Sequence, residues 1–264
     1  MRSLSLFLLL FFVAAAVKSQ SIDIPVAHYG ISLGNSEYHN GLRLNLIDED
    51  VHLVNGLNIT LWLPENNRRF DMNGVAIGLV GPAFERMRGV SLGVVGVGGG
   101  SIDGIAIGGI GVGASSIKGI SAGVIGVGAD NIEGLAIGGI GVGGDDLRGI
   151  LIGGIGVGAD MLQGIMIGGI GVGGDNLHGL TIGGLLVGGD TIDGLTVAGL
   201  RIKGEALVGL KIAPYVRAEK IMSGISIGLL NYADNLHGIQ IGLFNIAKNN
   251  KGIFKYLPLI NFHE

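Results

Sequence analysis

Gly134 to Arg148 reads GLAIGGIGVGGDDLR, and much of the chain is this segment written again with small changes. Gly74, Gly89, Gly104, Gly119, Gly134, Gly149, Gly164, Gly179, Gly194, Gly209 and Gly224 stand 15 residues apart and frame ten uninterrupted units. Two units of 14 residues follow from Gly224 and Gly238, and a last segment starts at Gly252. Upstream, Gly41 and Gly56 fit the same frame, the Gly56 unit being three residues longer.

Within a unit the aliphatic residues occupy the second, fourth, seventh, ninth and fourteenth positions. The fourth column holds Ile77, Leu92, Ile107, Ile137, Ile152, Ile167 and Ile182; the ninth is valine from Val97 to Val187. A spacing of two with β-branched residues favours short strands, and units this rich in glycine make poor helices. The fourth, ninth and fourteenth positions are five apart, so each unit divides into three short sides. The expectation is an all-β fold, a parallel β-solenoid (β-helix) of about 13 coils with a 15-residue period and a triangular cross-section. The five aliphatic columns are expected to face inward. The third column, with Ala76, Ser91, Ala106, Ser121, Ala136, Leu151, Met166, Thr181 and Thr196, is expected to face outward, the Gly-Gly pair shifting the alternation at a corner.

The fifteenth position tests the stacking independently. It reads Arg88, Asp103, Lys118, Glu133, Arg148, Gln163, His178, Asp193, changing sign at nearly every step. Parallel coils in register would set opposite charges side by side, whereas a shifted arrangement would scatter them.

Composition excludes several classes. Of 264 residues 53 are glycine but only five are proline, which rules out collagen; 48% are hydrophobic and the net charge is -4, which rules out a disordered chain. Met1-Arg2, the apolar run Leu4–Val17 and the small residues Ala14-Ala15-Ala16 read as a secretory signal peptide over residues 1–19. Residues 20–40 then form an N-terminal cap, 41–251 the solenoid repeats, and 252–264, with GIFKYLPLINFHE, a C-terminal cap that blocks the open edge. The chain has no cysteine, so an exported fold must hold by packing alone.

Candidate chemistry is sparse. Asp130, Asp145, Asp160, Asp175 and Asp190 occupy the twelfth position of five consecutive units, where each can close a turn by accepting a backbone N–H. GVGGDNL at 171–177 also partly matches calcium-binding β-roll nonapeptides, which makes the five aspartates weak calcium candidates; one carboxylate per coil supplies few of the six to eight oxygens calcium takes. The G-x-G-x-x-G strings have no following helix and carry no nucleotide-binding meaning. His28, His39, His52, His178, His237 and His263 form no metal spacing, and no nucleophile elbow marks a catalytic site. The reading is of a non-enzyme with no cofactor and no nucleic-acid partner. Asn58-Ile59-Thr60 is a glycosylation sequon, relevant to a eukaryotic secretory pathway. Two further surface readings are weighed: an ice-binding array, disfavoured by a total of four threonines, and an outer-membrane β-barrel, disfavoured by the Gly-Gly interruption of strand alternation.

Arg201, Lys203, Lys211, Pro214, Tyr215 and Arg217 break the aliphatic pattern, so exposed functional contacts are expected around Gly194–Ser223 rather than in the regular middle. Beyond them, GISIGLLNYA at Gly224–Ala233, GIQIGLFNIA at Gly238–Ala247 and LPLINF at Leu257–Phe262 resemble a family of bacterial surface repeat-containing proteins with Gly-x-Gln-Ile-Gly-Leu-x-Asn repeats. The specific likeness covers about 40 residues; the central coils depart from it, with glycine in place of the pattern's Leu and Asn. The resemblance implies export to the cell surface, outer membrane or periplasm of a diderm bacterium, and no catalytic residue. The expected role is structural or adhesive, through an unidentified surface or protein partner, with association at the outer membrane and self-association through flat glycine-rich faces both open.

Overall fold

The computed structural model describes residues 21–26, 28–62 and 69–264; the expected signal peptide lies outside the described residues. These residues divide into two compact units, one ending at Gly123 and the other running from Val124. Each is a stack of parallel β-coils. The first contains β1 (Ser21–Val26), β2 (Tyr29–Gly34), β3 (Tyr38–Asn45), β4 (Leu53–Thr60), β5 (Asp71–Gly78), β6 (Ala83–Gly93), β7 (Gly96–Gly108) and β8 (Gly111–Gly123). The second contains β9 (Gly126–Gly138), β10 (Gly141–Gly153), β11 (Gly156–Gly168), β12 (Gly171–Gly183), β13 (Leu186–Ala198), β14 (Arg201–Ile212), β15 (Tyr215–Ile227), β16 (Leu230–Ala247) and β17 (Tyr256–His263). The expected β-solenoid is the fold. Its glycine corners, Gly41 to Gly119 in the first unit and Gly134 to Gly238 in the second, mark about 14 coils in all, one more than expected.

Register follows the repeat. Gly149 lies opposite Gly164, Val142 opposite Val157 and Ile152 opposite Ile167, all in parallel. At both ends the direction reverses: β1 runs antiparallel to β2, and β17 antiparallel to β16. A membrane barrel has antiparallel neighbours throughout, so the barrel reading gives way to the solenoid.

Three corners shape a coil. The first is the frame glycine, with a positive φ of 120° at Gly164, where an added Cβ would sit 2.2 Å from the Gly149 carbonyl oxygen of the coil before. The second is the two-residue turn at the sixth and seventh positions. It folds so tightly that a Cβ on Gly138, in the fifth position, would lie 1.9 Å from the Gly141 oxygen. The third is at the twelfth position, where Asp145 and Asp160 drop out of the pairing between β10 and β11.

One expectation is overturned. The ninth and fourteenth columns do point inward, as Val142 and Leu147 show, but on the side between the first two corners the phase is opposite to the expected one. Ala136, Leu151, Met166, Thr181 and Thr196 of the third column are fully buried, while Ile137 and Ile150 of the fourth and second columns are exposed, and so is Ile140 of the seventh, which sits in the turn rather than facing in. The cause is that alternation runs without a break from Leu147 through Gly149 to Gly153, so every second residue, Leu151 included, turns in. The interior therefore alternates large side chains with glycine, and the coil is narrow.

Candidate surface-docking face

The inverted side leaves the larger aliphatic residues outside. In the second unit the second column runs from Leu135 through Ile150 and Ile165 to Ile239, the fourth from Ile137 through Ile152 to Ile241, and the turn adds Ile140, Ile155, Ile170, Leu185 and Leu200. No polar side chain stands in these columns between Leu135 and Leu243. All are exposed or half-buried, Ile140 being 49% exposed. In β17, Ile260 and Phe262 lie opposite Ile241 and Ile239 and continue the face. Eight coils at strand spacing and four residues of width give roughly 500 Å² in projection before the turn column is added. That already reaches the upper end of the roughly 300–600 Å² that the largest apolar patch of a soluble monomer covers. The first unit repeats the arrangement on its own, with Ile105, Ile107 and Ile110 exposed or half-buried, and with Ile22 and Ile24 of β1 opposite Leu33 and Ile31.

Beneath this apolar skin the third column is partly polar. Thr181 and Ser226 are buried with hydroxyls that lack a partner among the described residues. Lys211 is buried too; its Nζ donates to the Gly194 oxygen at 2.9 Å, the Val208 oxygen at 2.6 Å and Thr196 Oγ1 at 3.2 Å. Burial pulls the Lys211 amine down to about 8, against a smaller upward pull from Asp193. Because Thr181 and Thr196 face inward, this side presents no threonine array of the ice-binding kind.

Around the turn, the next side changes along the stack. Its outward eighth and tenth positions are glycine in β10 to β12, then become Arg201 and Lys203, Tyr215 and Arg217, and Leu230 and Tyr232. The Arg201 guanidinium lies 5.8 Å from the Tyr215 ring centre, and that of Arg217 5.1 Å from Tyr232. Glu219 serves both Lys203, at 3.0 Å, and Arg217, at 3.3 Å. The bond from Lys203 holds the Glu219 carboxyl below the usual carboxylate range. Lys248 likewise holds Asp234 down from 2.9 Å, with Tyr232 donating a second bond at 2.7 Å. The irregular, charged coils expected around Gly194–Ser223 carry this cluster of ion pairs and ring contacts, although Lys211 turns into the core rather than joining it.

The twelfth-position aspartates are exposed on the corner opposite the apolar side. Among the described residues none of the five accepts a hydrogen bond, so the expected turn caps are not formed. No group of three or more His, Cys, Asp or Glu side chains is placed to hold a metal among the described residues. The fifteenth-position ladder stacks in register, yet its charges pair unevenly: His178 Nδ1 is 3.7 Å from Asp193, whereas Arg148 turns to Asp146 of its own coil at 2.7 Å. Below Arg88 the same column is an asparagine ladder, Asn73 donating to Asn55 at 2.8 Å and Asn55 to Asn40 at 2.7 Å. The sequence signal for it was the Asn before each of three frame glycines. Asn58 of the sequon is buried, its Nδ2 donating to Asp48 and Thr60, which closes it to modification in the fold. The antiparallel return of β17 brings His237 and His263 together, ring centres 6.3 Å apart, a pairing no repeat column foretells.

No family model, curated protein or solved structure matches the chain.

Proposed function

We propose that the chain is an exported, non-enzymatic β-solenoid that works by laying its apolar side on another surface, with a structural or adhesive role at the bacterial cell envelope. The observation that carries this reading is the set of outward columns on the second unit, which place Ile and Leu in every coil with no polar interruption from Leu135 to Leu243. A surface of that kind in water is an interaction site by its composition. Export is supported by the leader-like run Leu4–Val17, and the envelope location by the likeness of Gly224–Ala247 to bacterial surface repeats. The non-enzymatic reading is supported by the regular coils from Gly104 to Asp193, whose charged residues all fall at the twelfth, thirteenth and fifteenth repeat positions.

The test compares wild type with Ile150→Asp/Ile165→Asp, two outward changes that leave the buried columns intact, by light scattering without detergent and by binding of an apolar dye. Wild type is expected to self-associate or bind the dye strongly, and the double variant to do neither while keeping its β-type circular dichroism. A wild type that stays monomeric and binds no more dye than the variant would sink the reading.

A further inference from the structure

We infer that the surface on which the second unit docks is an anionic lipid bilayer. This rests on the docking role proposed above and names its partner. The first ground is the inside-out order of the apolar side in its later coils: Leu180, Leu210 and Ile225 outside, Thr181, Lys211 and Ser226 inside. Strands that face water on one side place polar residues there, whereas apolar-out and polar-in is the order of strands that face hydrocarbon. The outward side chains offer no hydrogen-bonding group, and the backbone of each inner coil is already bonded to its neighbours, as a lipid-facing surface requires.

The second ground is what borders the face. In its coil Leu200 is the apolar turn residue and Arg201 is the next one, so the basic and aromatic cluster begins where the apolar side turns the corner, with Leu229 carrying the turn column on beside it. Tyrosine and arginine suit a boundary of this kind, with apolar bodies and polar tips. Arg201, Lys203 and Arg217 stand there with Glu219 between two of them, while Glu205 is taken up by Lys220 and Asp190 lies toward the far corner. Among the described residues Arg201 has no carboxylate in ion-pair range, and its buried Nε has no hydrogen-bond partner. The depression of about 360 Å³ beside these cations is lined by Asp190, Glu205 and Glu219 as well as by Arg201 and Lys203, so it is no anion pocket, and lipid contact falls to the cations of the border itself. The aspartate corner, opposite the apolar side, points away from a bilayer lying on that side. A second copy pressed face to face would cover the aliphatic columns but leave this basic border without a partner; an anionic bilayer uses both.

The test is flotation of the full chain and its variants, all sharing one N-terminus, with vesicles of phosphatidylcholine alone or with phosphatidylglycerol added. Wild type is expected to bind the anionic vesicles roughly thirtyfold more tightly, since each of the three cations near such a surface adds about a fivefold factor and Glu219 cancels one of them. Added salt should close the gap, a reading that needs no variant. Arg201→Ser/Lys203→Ser/Arg217→Ser should bind both vesicles as wild type binds the neutral ones, and Ile150→Asp/Ile165→Asp should float with neither. Circular dichroism melts of the variants guard against misfolding. Equal wild-type binding to both vesicles, or a triple variant that keeps the preference, overturns the anionic-lipid inference. Absence of flotation together with a discrete dimer that the aspartates disperse overturns it too, while leaving the docking role standing; absence of flotation with no effect of the aspartates in any assay removes both.

Discussion

Ile150 and Leu151 are chain neighbours of equal apolarity turned to opposite sides of one strand: Leu151 is fully buried and Ile150 is 42% exposed. Leu151→Ala should therefore cost roughly 2–5 kcal/mol of stability, as truncation in a packed interior does. Ile150→Ser should stay within about 0.5 kcal/mol, as a surface change does. Urea melts of the two variants against wild type decide the matter. The reverse order, with Ile150 the costly position, would mean that this side of the coil has the other phase.

That phase is also where reading the sequence stops short. The period, parallel register and three-sided coil were legible because the frame glycines, the valines from Val97 to Val187 and the charges from Arg88 to Asp193 repeat with little noise. The phase of one side was not, because apolar character was taken as a sign of facing inward. A cue was present: Arg148 is charged and Leu147 is not, and counting by twos from Leu147 through Gly149 reaches Leu151. A frame glycine such as Gly149 bends the strand through its positive φ without changing which side the next residues face, and sequence does not distinguish such a bend from a corner that shifts the alternation. The basic border near Arg201 was visible as a break in the repeat, whereas the inward turn of Lys211 depends on that same phase.

The frame glycines should be the least replaceable residues. Gly164 combines a φ of 120° with a Cβ position 2.2 Å from the Gly149 oxygen, so Gly164→Ala meets both left-handed strain and a backbone clash. A loss of about 2 kcal/mol or more is expected. At Gly158 an added Cβ would first meet the Gly173 oxygen at 3.6 Å, an ordinary contact, and Gly158→Ala should change stability by no more than about 0.5 kcal/mol. Thermal melts that showed equal losses at the two sites would contradict this account of the corner.

A buried ion pair sets the interior of the first unit. Arg43 bonds to Asp48 through Nη1, which also donates to Asn58 Oδ1 at 2.9 Å, while Nη2 donates to Asn35 Oδ1 at 2.8 Å. Thr60 donates to the same carboxylate at 2.7 Å. Asp48→Ala leaves the guanidinium uncompensated and should cost roughly 3–5 kcal/mol. Arg43→Met/Asp48→Ala should cost less than the sum of the single changes by about 1 kcal/mol or more, since the second change removes a charge the first had stranded. Strictly additive losses in denaturant melts would show that the pair acts as two separate hydrogen-bonding groups.

Lys211 should give the second unit a distinctive pH dependence. Its amine titrates near 8 in the fold and near 10.5 when exposed, because burial penalises the ammonium. Between those values the unfolded chain holds a proton that the folded chain has released, so stability rises with pH across the window; below about 8 both states are charged and the burial penalty is present in full. The gain on passing through the window is about 3 kcal/mol. Lys211→Met, close in volume and without charge, should lack it, and the difference in stability between wild type and variant isolates the effect from tyrosines and lysines that titrate in the same range. Unfolding free energies at pH values on either side of the window provide the measurement. If the three acceptors around Nζ instead keep the ammonium at its ordinary strength, that difference will stay flat and the burial argument fails.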